Sequence, residues 1–410
     1  MRIDTGDTAW VLVATALVLF MTPGLALFYG GMVRAKHVLA ILMQNFFAMG
    51  LVAVLWAVGC YSLAFGNLGD GGWLGDFHNA FMGHFNGEVY GTIPLVLFMA
   101  FQMTFAVITP ALMTGAIADR MRFSAWAWLI GIWSIVVYAP VAHWVFAGGW
   151  LAARGALDFA GGTVVHVNAG AGALAAILAL GVRRGWPGTP MPPHSLPFTL
   201  LGTGILWFGW FGFNAGSALA ANGVAATAFV NTFLAASAAM LGWLAVERLR
   251  GGHATTLGAA SGAVAGLVAI TPCSGFVGGM SPIYIGIVAG AVCCLACSLK
   301  FRFGYDDSLD VIGVHLVGGI IGSVLLGLFA DVAVNSAGAD GVFFGGGWSL
   351  FGEQVLAVVV VAAFSFVVTY AICIALKTLL PGGIRATEEQ ETTGLDLTLH
   401  SEVGYSFTDR

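Results

Sequence analysis

Long apolar segments alternate with short polar connections along this chain. The segments contain few charged residues, and each is long enough for a helix that crosses roughly 30 Å of hydrocarbon. They are continuous and do not show the alternation of polar and apolar residues found in outer-membrane barrel strands. The pattern predicts an all-α polytopic membrane protein with about eleven transmembrane helices, near residues 8–31, 37–65, 92–118, 124–145, 162–182, 196–216, 225–246, 255–271, 281–300, 310–331 and 350–378.

The composition agrees with a helical membrane protein. Of the 410 residues, 59% are hydrophobic and 9% are charged, and the mean hydropathy is +0.91. A typical soluble domain has about 25% charged residues. The 59 glycines suit close contact between helices in lipid, where small residues let backbones approach. The beginning of the chain lacks a basic leader and a small-residue cleavage site, so no signal peptide is predicted.

Basic residues follow every second apolar segment and are scarce in the other connections, where 146–161 contains only Arg154. Cytoplasmic connections of membrane proteins carry an excess of Lys and Arg. This distribution predicts an N-terminus outside and a C-terminus in the cytoplasm, which agrees with an odd number of spans. The basic residues concerned are Arg34, Lys36, Arg120, Arg122, Arg183, Arg184, Arg248, Arg250, Lys300, Arg302, Lys377 and Arg385.

The spans divide into two groups of five and a last helix. Because each group has an odd number of crossings, the two groups enter the membrane from opposite sides and are predicted to be inverted repeats. Within a transmembrane domain of residues 1–380, we assign 1–195 to the first repeat, 196–345 to the second and 346–380 to the last helix. Residues 381–410 form a polar cytoplasmic tail, which either packs on the cytoplasmic loops or is disordered.

Two apolar segments each combine an Asp and a His near their start. Asp158 precedes His166 in the first half, and Asp310 precedes His315 in the second. Ionisable residues inside a membrane span are costly and usually mark a pathway or a binding site. A single buried His is more often a hydrogen-bonded core residue, but two on matched helices favour a function. A neutral imidazole can donate from one nitrogen and accept at the other, so a pair can pass a proton.

The two aspartates allow different interpretations. Asp158 could hold a cation at the outer mouth, or it could cap its helix by accepting from free backbone N–H groups. Both roles are compatible. Asp310 is predicted to be a cap, because Asp306, Asp307 and Ser308 beside it form a solvated inner rim.

Aromatic residues cluster at the predicted outer ends of the third and sixth spans. Phe101 and Phe105 share one helical face. The segment 207–213 contains five aromatic residues and leads to Ser217. Such rings either form an interfacial belt or offer their faces to a small cation.

The six cysteines are predicted to be small packing residues in apolar surroundings. Cys293 and Cys297 have a spacing that could hold a metal, but no His or acidic residue accompanies them, so no metal site is predicted. The full set is Cys60, Cys273, Cys293, Cys294, Cys297 and Cys373.

Several of these segments resemble the ammonium transporter family (Amt/MEP/Rh). They are residues 22–31, 101–110, 157–166, 209–217, 310–315 and 383–396, and the similarity extends over nearly the whole chain. The string from Asp158 to His166 is the most specific of them. The resemblance implies a homotrimer of eleven-helix subunits, each with its own pore, in the plasma or inner membrane.

The resemblance also implies roles for individual residues. An outer site takes NH4+ against Phe105 and Ser217, and Phe101 and Phe213 form a phenyl gate below it. His166 and His315 are the paired pore imidazoles, Asp158 is a structurally essential carboxylate, and Trp210 and Thr271 line or support the pore. The family usually has a Trp in the outer site where this chain has Phe146, which cannot donate an N–H.

Hydropathy places His166 about one turn below the outer end of its helix and His315 about one turn above the inner end of its own. Contact between them would require deep vestibules or short, offset helices. The resemblance implies that they meet, whereas the apolar pattern does not.

Ammonium transport is the first functional hypothesis. NH4+ would bind outside and lose its proton, and NH3 would pass the two histidines with net transfer of charge. The alternative is a sensor of the same fold that binds ammonium and conducts little. An enzyme is not favoured, because neither Gly-x-Ser-Gly nor His-Glu-x-x-His occurs. The predicted partners are the lipid bilayer and a cytoplasmic PII-type nitrogen regulatory protein, with no nucleic acid and no cofactor.

Overall fold

The structure, a computed structural model, describes residues 2–406 and is an all-α bundle. Within these residues eleven apolar helices follow one another. They are α1 (Thr5–Met32), α2 (Ala35–Phe65), α3 (Leu95–Ile117), α4 (Phe123–Ala153), α5 (Gly162–Leu180), α6 (Leu196–Gly216), α7 (Gly223–Gly251), α8 (Thr256–Ile270), α9 (Ser281–Phe303), α10 (Ile312–Phe329) and α11 (Ser349–Leu379). Two short tail helices follow, α12 (Glu388–Thr393) and α13 (Leu395–His400), and β1 (Val89–Tyr90) pairs with β2 (Ile93–Pro94) in a connection.

The predicted fold class is confirmed, and the differences lie at the helix ends. Ten of the helices are long and apolar enough to cross a membrane, whereas α8 has only 15 residues. The long part of α4 ends at Val145, as predicted for the fourth span, and α4 also includes a short helix, Trp150–Ala153, that follows after a brief loop. Hydropathy does not show this loop, because its residues are also small or apolar.

The basic connections meet on one face of the bundle, which we call the basic face. Arg34 pairs with Asp119 at 3.0 Å, and the Nε of Arg120 donates to the carbonyl oxygen of Gly181 at 2.9 Å. Arg183 forms an ion pair with Asp306 at 2.8 Å. Connections that follow alternate helices therefore lie together, as expected when each helix crosses the membrane once.

The tail packs on the basic face rather than extending away from it. The Asp396 carboxylate accepts hydrogen bonds from the backbone N–H groups of Leu39 (3.0 Å) and Ala40 (2.8 Å) at the start of α2. His194 and Tyr405 form a second link, with 2.8 Å between Nε2 and the hydroxyl oxygen. The tail thus connects the first inner loop to the loop between the two halves.

Helices α5 and α10 cross closely at the centre of the bundle. Gly170 of α5 faces Leu316, and a Cβ at this glycine would lie 2.7 Å from the backbone nitrogen of Leu316. Gly319 of α10 faces α5, and a Cβ there would lie 2.9 Å from the carbonyl oxygen of Gly162. Each glycine is four residues beyond its histidine, so the two helices approach each other in the same way from both sides.

We expect Gly170→Ala to destabilise the protein, because the added methyl group overlaps the backbone of Leu316. Overpacking of this kind costs about 1–3 kcal/mol. Gly50→Ala is the matched control, since a Cβ at this helical position has no atom within 4 Å. Thermal unfolding in detergent should show a lower midpoint for the first variant alone. Equal midpoints for the two variants would contradict the close crossing.

Candidate functional site

A narrow cavity lies at the crossing of α5 and α10. Its volume is about 10 Å³, which is room for about one water-sized molecule. Apart from two imidazoles and one indole, its walls are hydrocarbon. The lining residues are Met21, Leu25, Phe28, Ile108, Leu112, Val165, His166, Leu206, Trp210, Phe213, Val264 and His315.

The two histidines predicted from the sequence meet in this cavity. The Nδ1 atoms of His166 and His315 are 3.2 Å apart, and the rings are inclined by only 18°. Both side chains are buried, with exposed fractions of 1% and 2%. Both helices begin with a π-helical turn, Gly162–Val167 and Ile312–Leu316, and each of these turns packs against the other helix. The two helices are therefore short and offset, which explains how positions near opposite ends come into contact.

Tyr29 extends the pair toward the basic face, and sequence reasoning missed it. Its hydroxyl is 3.4 Å from Nε2 of His315 and 3.2 Å from the carbonyl oxygen of Leu112. At the other end of this row of hydrogen-bonded side chains, Nε2 of His166 is buried and has no hydrogen-bond partner. Tyr29 lies in the segment 22–31 noted above, but nothing in that segment indicates a contact with a histidine 286 positions away.

The chain of three residues has two consistent proton arrangements. If Tyr29 donates to Leu112, it accepts from Nε2–H of His315, whose Nδ1 then accepts from Nδ1–H of His166. Nε2 of His166 is then a free lone pair beside the cavity. If Tyr29 instead donates to His315, the two bonds among these three side chains reverse, the bond to Leu112 is lost, and Nε2 of His166 carries a hydrogen. Transfer along the chain converts one arrangement into the other.

Trp210 and Thr271 hold the position of His166. The indole of Trp210 stacks on the His166 ring, with centroids 5.4 Å apart and planes inclined by 18°. Its Nε1 donates to Oγ1 of Thr271 at 2.8 Å, and Thr271 donates in turn to the carbonyl oxygen of Leu267. Trp210 therefore lines the cavity, whereas Thr271 lies behind it and fixes the indole.

The phenyl rings are arranged differently from the prediction. Phe213 stacks on Phe105, with centroids 4.2 Å apart and planes inclined by 28°, so the expected pairing of Phe213 with Phe101 is wrong. Phe101 meets Phe105 edge-on, with ring centroids 5.0 Å apart, and packs near Gly216, so it does not line the cavity at the histidines. The sequence shows that Phe101 and Phe105 share a face, but only the rotation of α3 against α6 decides which ring meets Phe213.

A second cavity, the outer cavity, lies beyond these rings on the face opposite the basic face. Its volume is about 160 Å³. The ring of Phe146 meets Phe105 edge-on at 6.3 Å, and the Ser217 hydroxyl donates to the carbonyl oxygen of Phe213 at 2.8 Å. Gln102, which sequence reasoning did not single out, contributes a buried Oε1 without a hydrogen-bond partner. The cavity is lined by Tyr90, Phe98, Gln102, Phe105, Val145, Phe146, Asp158, Phe159, Ser217 and Leu219.

Comparison with known proteins agrees with this geometry. The family model described as the Ammonium Transporter Family matches residues 9–405. The chain belongs to the ammonium transporter family. It is 50% identical to the ammonium transporter of Bacillus subtilis (strain 168) over 405 residues, which are 98% of each protein.

Solved structures show the same fold. Crystalline Candida albicans Mep2 superposes with a TM-score of 0.89 at 38% identity, covering 95% of this chain and 88% of the other. A structure named "Sensor Amt Protein" superposes with a TM-score of 0.88 at 28% identity, covering 96% and 98%. The protein is an ammonium transporter of the plasma membrane that crosses it several times, and it is not an enzyme.

Asp158 caps the start of α5 in this transporter. Its two carboxylate oxygens accept from the backbone N–H groups of Gly161, Gly162, Thr163 and Val164, at 2.7–3.0 Å. These are the donors that a helix start leaves without partners. The carboxylate also lines the outer cavity, but its four bonds already occupy it, so capping is its main role.

The corresponding cap of α10 is Asp307 and not Asp310, which corrects the prediction. Asp307 accepts from the N–H of Ile312 at 2.7 Å, whereas Asp310 pairs with Lys300 at 2.7 Å. Asp307 precedes His315 by eight residues, as Asp158 precedes His166. The spacing of the first motif could have identified the correct residue. The backbone at Asp310 is left-handed (φ 63°), which directs its side chain elsewhere.

We expect Asp158→Ala to reduce stability strongly, because four backbone donors lose their acceptor at once. Each buried donor left without a partner costs about 1–3 kcal/mol. Asp158→Asn keeps one acceptor oxygen and should be intermediate. Asp331→Ala is the control, since its carboxylate accepts from one N–H in a turn. Thermal unfolding and gel filtration measure the order, and a stable Asp158→Ala variant would refute the capping role.

Proposed function

We propose that the transporter binds NH4+ in the outer cavity, removes one proton and passes NH3 along the histidines, with net transfer of charge. The observation that supports this best is Nε2 of His166, a buried nitrogen without a partner at the end of a chain of proton-exchanging groups. The proposal divides into recruitment, passage and proton transfer.

Recruitment rests on ring faces and oxygen acceptors. Phe105 and Phe146 offer faces to a small cation, an attraction of about 0.5–2 kcal/mol that grows as water is removed. Ser217 uses its hydrogen on Phe213, so its oxygen can accept from NH4+. Gln102 supplies a second acceptor. Phe146 contributes a ring but no donor, so selectivity here depends mainly on the acceptors.

Passage favours the neutral molecule. The stacked rings of Phe105 and Phe213 separate the outer cavity from the cavity at the histidines, which holds about one molecule of water size. A hydrated ion is too large for this space, and a bare charge among hydrocarbon walls loses its solvation. NH3 has the size of water and avoids this cost.

The proton takes a separate route along the histidines. NH4+ gives up its proton where NH3 passes Phe213, whose ring lies 6.2 Å from that of His166, and Nε2 of His166 accepts this proton. The bond to Nδ1 of His315 passes a proton on, and Nε2 of His315 delivers one toward Tyr29. Because NH3 and H+ both cross, each NH4+ moves one net charge.

We expect replacement of both histidines, His166→Ala with His315→Ala, to reduce ammonium-evoked currents in proteoliposomes by about 100-fold or more, the scale of lost proton transfer. His253→Ala, an exposed His on the basic face, is the control and should leave the currents unchanged. Currents of normal size in the double variant would remove the relay from the mechanism.

A sensor is the second candidate function. The similarity to the structure named "Sensor Amt Protein" and the presence of Phe146 favour it. Measurements of ammonium binding and of ammonium-dependent current on the same purified protein distinguish a transporter from a sensor. Ammonium binding together with ammonium-dependent current indicates a transporter, whereas binding without current indicates a sensor.

We also propose that the protein forms a homotrimer and that its chain divides into two inverted repeats and a last helix. Large apolar side chains are exposed on α1, α7 and α9 of the single chain, among them Phe20, Phe233 and Ile287. Such surfaces suit burial against lipid or against the other subunits of a homotrimer. The caps and histidines of α5 and α10 support two inverted repeats, 1–195 and 196–345, followed by the helix 346–380 and the cytoplasmic tail 381–410.

A PII-type protein docking on the basic face is proposed to close the pore, and the tail would take part. We expect deletion of residues 383–410 to abolish PII binding and to change flux, because the docking surface would lose α12 and α13, which pack on the first inner loop. Asp396→Asn is the matched variant, since it loosens the tail while preserving its surface. Unchanged PII binding and flux after deletion would contradict the proposal.

A further inference from the structure

Asp307 differs from Asp158 although it holds the corresponding place. Asp158 uses both oxygens on four backbone donors, whereas Oδ2 of Asp307 accepts from Ile312 and its Oδ1 has no hydrogen-bond partner. The side chain of Asp307 is 1% exposed. A buried carboxylate oxygen without a donor is costly unless the group takes up a proton. The capping role therefore leaves half of this carboxyl group unexplained.

Asp307 lies beside the inner end of the histidine chain. It caps the helix turn that contains His315, which Tyr29 contacts. The ring of Tyr29 and the side chain of Val311 both lie against Gly115, where a Cβ would be 2.6 Å from the former and 2.7 Å from the latter. The segment from Asp307 to Val311 therefore packs on the side of the pore where the proton chain ends.

The surrounding charges favour exchange of a proton at Asp307. Burial, and then the neighbouring negative charge of Asp310, raise the pKa of Asp307 to about 6, while Lys300 opposes them. A carboxyl group with such a pKa can gain and lose a proton near neutral pH. The charged and titratable groups that act on it or respond to it are Lys300, Asp310, Tyr29, Tyr305, Cys297 and Arg183.

We propose that Asp307 is the group at which the transported NH3 and its proton recombine. The protonated carboxyl gives its hydrogen to NH3, so that one O–H bond breaks, one N–H bond forms, and NH4+ leaves beside a carboxylate. The carboxylate then regains a proton delivered through His315 and Tyr29. The step consumes the proton that His166 accepted, so no further reactant is needed. This inference rests on the proposed relay.

The decisive variant is Asp307→Asn, measured as ammonium-evoked current in proteoliposomes at internal pH values from about 5 to about 8, a range that spans the titration. Asparagine keeps an oxygen for the N–H of Ile312 but has no acidic proton. We expect a loss of current of at least about tenfold at all these pH values. Thermal unfolding and gel filtration establish that the variant is folded.

Asp310→Asn provides a second, independent measurement. This substitution removes the negative charge of Asp310, which raises the pKa of Asp307. It also frees Lys300 from its ion pair, and the positive charge of Lys300 then lowers the pKa of Asp307 further. The current should persist, and its dependence on internal pH should move to lower pH. If Asp307→Asn does not fold, this shift alone decides, and an unshifted profile overturns the inference.

The outcomes also separate this inference from the proposed relay. Normal current with an unchanged pH profile in folded Asp307→Asn overturns the role of Asp307 and leaves the histidine relay standing. Normal current in the double histidine variant removes the relay itself, and the inference about Asp307 then falls with it. Loss of current in Asp307→Asn and in the double histidine variant supports the complete route, provided that the pH profile of Asp310→Asn moves to lower pH.

Discussion

Two helices of this transporter begin deep among other helices, and each start exposes backbone N–H groups where water is scarce. Asp158 satisfies four such groups at the start of α5, and Asp307 takes the equivalent place on α10. These carboxylates supply acceptors to helix starts that water does not reach. The position of both histidines follows from these caps, because each His lies eight residues beyond its Asp.

The two aspartate caps determine where α5 and α10 begin, and two glycines determine how closely these helices approach each other. Gly170 and Gly319 allow α5 and α10 to touch, which brings the two Nδ1 atoms to 3.2 Å. Trp210 then stacks on His166, and Thr271 holds Trp210. The polar pathway is thus a thin line of hydrogen-bonding atoms inside hydrocarbon walls, where a proton and a neutral molecule face very different costs.

The basic face joins the pore to the rest of the molecule. Asp306, next to Asp307, binds Arg183 at 2.8 Å, and Arg183 itself approaches Asp119 at 3.7 Å. Burial by itself raises the pKa of Asp306, but the bonds and charges of Arg183 and Arg120 outweigh it and hold that pKa below its usual value. Neighbouring aspartates are therefore held in opposite ways, one charged in an ion-pair network and the other able to exchange a proton.

The sequence by itself determined the all-α membrane fold, the number of apolar helices and the two histidines, because hydropathy and rare buried polar residues are local properties. The tertiary structure alone decided that Tyr29 joins the histidines and that Phe105 rather than Phe101 meets Phe213. These outcomes depend on how helices distant in sequence rotate and cross. Apolar surfaces that face lipid and apolar surfaces that face a pore have the same composition, so their pattern along the chain does not record that rotation.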